Sequence, residues 1–219
     1  MEAYSHVVSL GRRCATSHNL RRYFNFGEGF PFDWWITPFE GLLQVLERPD
    51  VDWLYDPSLM RLTDARRSVR HTPSGILFHH EFAREQGAPR ELGESPPVRE
   101  DFLEHLATPR ARTAHLLRKF LALNESGNRI LFIRETGERD KLEPVLARRF
   151  SRADWTLEIL AKVCSPDFKP VDGKQKWQGD PVLWDRILMK LNARLDNPSL
   201  KPFRAGSGPG AESAIHPAD

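Results

Sequence analysis

At 219 residues, 40% hydrophobic and 10% aromatic, the chain is long enough to bury one sizeable core and too apolar to be disordered. A net charge of +2, with basic residues scattered among acidic ones, argues against a nucleic-acid binder, and no segment approaches the apolar run of a transmembrane helix. Two cysteines, Cys14 and Cys164, make no disulfide framework; the start Met1-Glu2-Ala3-Tyr4-Ser5-His6 lacks a signal peptide's regions, so the expected compartment is the cytoplasm, where a thiol stays reduced.

The first predicted strand is Val7 to Leu10, followed by a turn at Gly11 and a helix carrying Leu20, Tyr23 and Phe24 on one face. Thr16 or Ser17 is a possible N-cap, which would leave Cys14 in the preceding loop. Gly27 and Gly29 break the helix, and the aromatic cluster Phe30 to Trp35 follows. Thr37 as N-cap and Pro38 as first helical residue predict a helix over Phe39 to Leu46. Asp50 to Asp64 reads as a packed irregular segment with one helical turn. Ser68 to His71 and Gly75 to Phe78 read as a hairpin, and Ala83 to Pro97 as an exposed loop. A long helix from Val98 to Leu123, with a break at Thr108-Pro109, precedes a strong strand over Arg129 to Ile133. Its basic residues Arg110, Arg112, Arg118 and Lys119 read as a solvated face. A helix over Lys141 to Phe150, a strand over Trp155 to Val163, a loop with Trp177 and a helix over Val182 to Leu195 complete the pattern.

Strands alternating with helices predict one α/β domain over residues 1–200, with a mixed, mostly parallel central sheet flanked by helices. The hairpin would supply its antiparallel part. Residues 201–219, rich in Pro, Gly, Ser and Ala, are expected to form a disordered tail. Ligands of α/β sheets gather at the carboxyl ends of strands, so Gly11 to Cys14, His79 to Glu81 and Arg134 to Glu135 are expected on one rim.

Cys14, near a helix start and beside Arg12 and Arg13, is a candidate nucleophile. Helix amides, the macrodipole and guanidinium groups bring a thiol pKa down from about 8.5 to roughly 3.5–7.5. Ser9, inside the first strand, is a less mobile alternative. In Phe78-His79-His80-Glu81-Phe82, His80 shares a face with the two phenylalanines and is the candidate base, with His79 second. Asp33, enclosed by aromatics, either orients that histidine, caps a turn or pairs with an arginine. Gly11, Arg12, Arg13, His79 and Arg134 are candidate substrate-binding residues, with Arg134 suited to an anionic group. No HExxH or paired CxxC spacing suggests a metal, and no GxGxxG or P-loop suggests a nucleotide cofactor.

Ser9-Leu10-Gly11-x-x-Cys14, Leu20-Arg21-Arg22, Pro31-Phe32-Asp33-Trp34 and Thr37-Pro38 together resemble a bacterial family of uncharacterised proteins catalogued as papain-like cysteine peptidases. Phe78-x-His80-Glu81-Phe82, close to that family's His-Asp-Phe pattern, and Ile130-Leu131-Phe132-Ile133-Arg134 extend the resemblance over Val7 to Leu195. It implies a thiol nucleophile at Cys14, a histidine base at His80 and an acidic or amide third member. It implies a thiol hydrolase or acyltransferase acting on a peptide or other acyl substrate without a cofactor. It also offers a papain-like α+β arrangement as the alternative fold. Papain-like order is Cys, His, then Asp or Asn; here Arg134-Glu135 follows the later strand, and Asp33 precedes the histidine. The runner-up function is a non-catalytic anion- or glycan-binding α/β domain built on the same rim.

Overall fold

A computed structural model describes residues 4–24, 27–86, 95–160 and 179–195. Cys164, Trp177 and the tail at 201–219 lie outside the described residues. The first half runs β1 (His6–Ser9), α1 (Cys14–Phe24), β2 (Trp35–Ile36), α2 (Phe39–Glu47), α3 (Val51–Leu54), β3 (Met60–Leu62), β4 (Val69–His71) and β5 (Leu77–Phe78). The second runs α4 (Ala107–Ala122), β6 (Arg129–Arg134), α5 (Arg139–Arg149), β7 (Asp154–Ile159) and α6 (Pro181–Leu195).

The fold is α/β, but its antiparallel part forms a sheet of its own. β1, β6 and β7 make a parallel sheet in the order β1-β6-β7, with Val7 opposite Leu131 and Ile130 opposite Trp155. β6 is central because Ile130, Leu131, Phe132 and Ile133 have no exposed surface, so both its faces need cover. Alternation divides them. Leu131 and Ile133 join Val7 against Ala15 and Leu20 of α1 and Trp184, Ile187 and Leu188 of α6. Ile130 and Phe132 join Val8 and Leu157 against Phe120, Leu142, Leu146 and Phe150. Each such fully buried side chain contributes about 1.5–3 kcal/mol relative to exposure.

The second sheet has the order β2-β5-β4-β3, all antiparallel. Phe78 is its anchor, fully buried between Trp35 and Tyr55, with ring centroids 5.3 and 5.2 Å away. The predicted hairpin is β4 and β5. Flanking strands β2 and β3 span two and three residues, too short for any alternation to register in the sequence.

Three boundaries differ from the sequence reading. The residue that caps α2 is Pro38, not Thr37, and no side chain bonds the helix start. The helix expected from Val98 begins only at Ala107, because Val98 instead pairs with Arg84 and donates its N–H to the Arg66 carbonyl (2.7 Å). Pro109, read as a break, sits in the first turn of α4, where a missing N–H costs nothing. No helix among the described residues is long and apolar enough to cross a membrane.

α2 lies directly on the β4–β5 turn, and Gly41 makes the approach possible: a Cβ there would stand 2.4 Å from the Ser74 carbonyl oxygen. Gly41→Ala is therefore expected to destabilise by about 1–3 kcal/mol through overpacking, despite a helix-propensity gain of about 1 kcal/mol. Urea unfolding checks this; an unchanged or higher midpoint would show that the turn yields.

Candidate active site

The site begins where β1 ends. Leu10 still pairs with β6, its N–H donating to the Ile133 carbonyl at 2.8 Å, and the chain then turns sharply at Gly11 (φ +76°) and Arg12 (φ +81°). Gly11 suits that conformation and also the crowding, since a Cβ would meet Thr37 Oγ1 at 3.0 Å. Arg12 has no such licence, and a non-glycine residue at positive φ costs about 1–3 kcal/mol. The Thr37 N–H holds it there by donating to the Arg12 carbonyl at 3.1 Å. Among the described residues the buried Thr37 hydroxyl has no hydrogen-bond partner. Ser9 is buried too, its Oγ accepting the Gly11 N–H at 3.2 Å, which leaves it unsuited to be a nucleophile.

Cys14 is the first residue of α1 and is half-buried. The backbone amides of Cys14 and Ala15 at the helix start favour the thiolate, and Arg13 adds a favourable charge. Burial nevertheless outweighs them and pushes the thiol above its ordinary value, helped by the Glu135 carboxylate. This corrects the expectation of a depressed thiol pKa. At neutral pH the site holds a thiol, not a thiolate.

Glu135 explains part of that result. It is fully buried at the exit of β6, accepts Thr16 Oγ1, and takes Arg13 Nη2 at 3.0 Å and Nε at 3.4 Å. Arg12 Nη1 stands 3.8 Å from it. The Arg13 charge is thus largely neutralised before it acts on sulfur. Arg134, 1% exposed, donates from Nε to the Thr136 carbonyl, from Nη1 to Leu10 and from Nη2 to Thr37. Burial lowers its pKa to about 10, which leaves it charged. Its three nitrogens are engaged by main-chain oxygens, so the anion-binding role expected of Arg134 gives way to a structural one.

The exits of β1 and β6 therefore meet, being neighbours in one sheet; His79 to Glu81 leave from the other sheet. Neither His79 nor His80 hydrogen-bonds to the Cys14 thiol. His79 Nδ1 shares a hydrogen bond with Ser68 Oγ at 2.8 Å, and burial lowers its pKa. His80 is exposed, with its ring edge-on to Trp34 (5.6 Å) and His79 (4.7 Å). Asp33 orients no histidine either. Its Oδ2 accepts the Phe30 N–H at 2.8 Å and the Arg21 guanidinium, and its carbonyl accepts Ser17 Oγ. Burial still raises the carboxyl to about 6 against those pulls. A cavity between Val7, Ser17, Arg21 and Asp33 has room for about one water molecule, not a substrate.

The histidine that helix geometry brings to Cys14's face is His18, one turn along α1. Burial, then Arg22 and Arg21, lower its pKa, which favours the neutral ring. The spacing Cys14-x-x-x-His18 is legible only once α1 starts at Cys14; a helix capped at Thr16 or Ser17 hides it. Among the described residues no group of three or more His, Cys, Asp or Glu side chains is placed to hold a metal ion.

Comparison with known proteins finds no matching family model, curated protein or solved structure.

Two measurements follow from the buried charges. Arg134→Met would strand three carbonyls in the interior and is expected to cost at least ~3 kcal/mol in urea unfolding; a loss below ~1 kcal/mol would show that water replaces the guanidinium. For Asp33, a folded pKa of about 6 lies above the ordinary 3.8, so its stabilising contribution is complete below the ordinary value and lost as pH rises through 6. The size is on the order of 2–3 kcal/mol. Asp33→Asn should flatten the fall in stability between pH 4 and 7, and an unaltered or steeper slope would contradict the raised pKa.

Proposed function

We propose that the protein performs thiol-dependent acyl transfer or hydrolysis, with Cys14 as nucleophile. The observation that carries this reading is the placement of Cys14 as the first residue of α1, just beyond the carboxyl end of a parallel strand. The resemblance to papain-like cysteine peptidases in Ser9-Leu10-Gly11-x-x-Cys14 and Pro31-Phe32-Asp33-Trp34 points the same way.

In this mechanism thiol and base are both neutral before attack. Sγ adds to a substrate carbonyl as His18 takes the thiol proton, so base catalysis coincides with bond formation. Negative charge passes from sulfur to the carbonyl oxygen, and the Cys14 and Ala15 amides at the helix start are suited to receive it. The imidazolium returns its proton to the leaving group, giving an acyl thioester. Water, deprotonated by His18, then releases the acid and restores the thiol. His18 is favoured over His80 by its position one helical turn from the thiol. A second reading, the anion- or glycan-binding domain, is favoured by the half-exposed Arg12 and Arg13, but loses Arg134 as a ligand group.

A generic acyl donor, p-nitrophenyl acetate, tests the proposal without knowledge of the substrate. Mass spectrometry is expected to find a transient acetyl group on Cys14, with continued turnover. Cys14→Ser should abolish it, and His18→Ala should slow it by about 100-fold or more, while His80→Ala should not. Acetylation of Cys164 in preference to Cys14, or a stable acetyl-Cys14 without turnover, sinks the catalytic reading in favour of the binding domain. Slowing by His80→Ala alone moves the base to His80.

A further inference from the structure

Three arginines stand around the exits of β1 and β6, and they differ in what their donors do. Those of Arg134 reach three carbonyls, and those of Arg13 reach Glu135 at 3.0 and 3.4 Å. Arg12 is the exception. Among the described residues its guanidinium makes no hydrogen bond, and its ion-pair neighbour is Glu135 at 3.8 Å, near the outer limit for such a contact. The side chain is 43% exposed, so it is anchored at its base and open at its fork.

Its position is imposed on the chain. The Thr37 N–H keeps the Arg12 carbonyl in place, and the residue stands at φ +81°, where glycine would fit without strain. It stands two positions before Cys14, which keeps their Cα atoms within about 7 Å. Both the thiol and Arg12 lie in the field of Glu135. A guanidinium fork with uncommitted donors beside a nucleophile matches the two oxygens of a carboxylate. A phosphoryl group generally draws on several cations together, but here the other two arginines are engaged, by Glu135 and by main-chain carbonyls.

We propose that Arg12 is the specificity residue of the site and selects acyl donors that carry a carboxylate near the reacting carbonyl. This rests on the reading of Cys14 as nucleophile, and its test separates the two. The full-length protein is alkylated with iodoacetate and with iodoacetamide, and the rate ratio at Cys14 is compared with that of N-acetylcysteine. The thiolate fraction divides out of this ratio, so a shift in the thiol's ionisation cannot imitate recognition of the anion. The ratio at Cys14 is expected to exceed that of N-acetylcysteine by about tenfold, the scale of one close charge pair at an opening. It should fall to the solution value in Arg12→Gly, which suits the positive φ, and in Arg12→Gln. Succinate should protect Cys14 from iodoacetate more than inorganic phosphate does at equal ionic strength.

A ratio equal to that of N-acetylcysteine, or one that survives both Arg12 variants, overturns the assignment even where acetyl transfer to Cys14 occurs. Stronger protection by phosphate overturns the carboxylate class. An Arg12-dependent ratio without acetyl turnover upholds the carboxylate site and sinks the nucleophile.

Discussion

The Arg134 guanidinium is held out of water by three main-chain carbonyls, those of Leu10, Thr37 and Thr136. They belong to the end of β1, the approach to α2 and the turn after β6, three segments that come together where strand pairing runs out. A buried cation costs several kcal/mol unless its donors are met, and here each nitrogen is met, with the Phe39 ring at 5.6 Å and Glu135 adding attraction. The consequence reaches the site. Thr37, clamped through its carbonyl, uses its N–H to hold Arg12, and Leu10, clamped through its carbonyl, fixes the departure point of the Gly11 turn. One side chain on a different strand thus braces both ends of the turn that leads into α1 and Cys14.

Three buried carboxylates around this frame meet the same penalty differently. Glu135 is compensated by Thr16 and the Arg13 fork. Asp33 accepts Phe30 and Arg21, yet burial still raises its pKa. Glu81 accepts Trp35 Nε1 at 3.1 Å, while among the described residues its buried Oε2 has no partner, and burial raises its pKa as well. Asp33 and Glu81 hold the two ends of the aromatic segment that leads into β2. Both prefer the protonated form more than a solvated acid does, so acid conditions favour the packing of this segment.

Much of the architecture was legible because it is periodic. β6 is an unbroken apolar run, α1 and α6 repeat their buried residues at helical spacing, and the β4–β5 turn carries Pro73 and Gly75. β2 and β3 were not legible, since their pairing partners decide them and their length permits no pattern. The site was legible in part. Gly11, Arg12, Arg13 and Cys14 lie together because one turn contains them, and Glu135 joins them because β6 is the neighbour of β1. The role of Arg134 was misread because a charged residue at a strand end looks the same whether its donors meet a ligand or backbone. The Cys14–His18 spacing was not legible because a helix capped at Thr16 or Ser17 leaves Cys14 outside it, whereas α1 contains both.

The thiol's ionisation state ties these points together. A helix terminus contributes up to ~2 kcal/mol in partly buried geometry, whereas full burial moves a pKa by as much as roughly 3–5 units, so desolvation wins even at partial strength. Cys14 follows that ordering, despite two amides and an arginine. A resting thiolate would be open to any passing oxidant, because oxidation follows thiolate character and exposure. A resting thiol lacks that reactivity, and under the proposed reading its proton would leave only as a bound carbonyl accepts the electrons. On that reading the chemistry would begin with binding, and the Arg12 guanidinium, 43% exposed in the turn that leads to Cys14, is the group proposed to supply it.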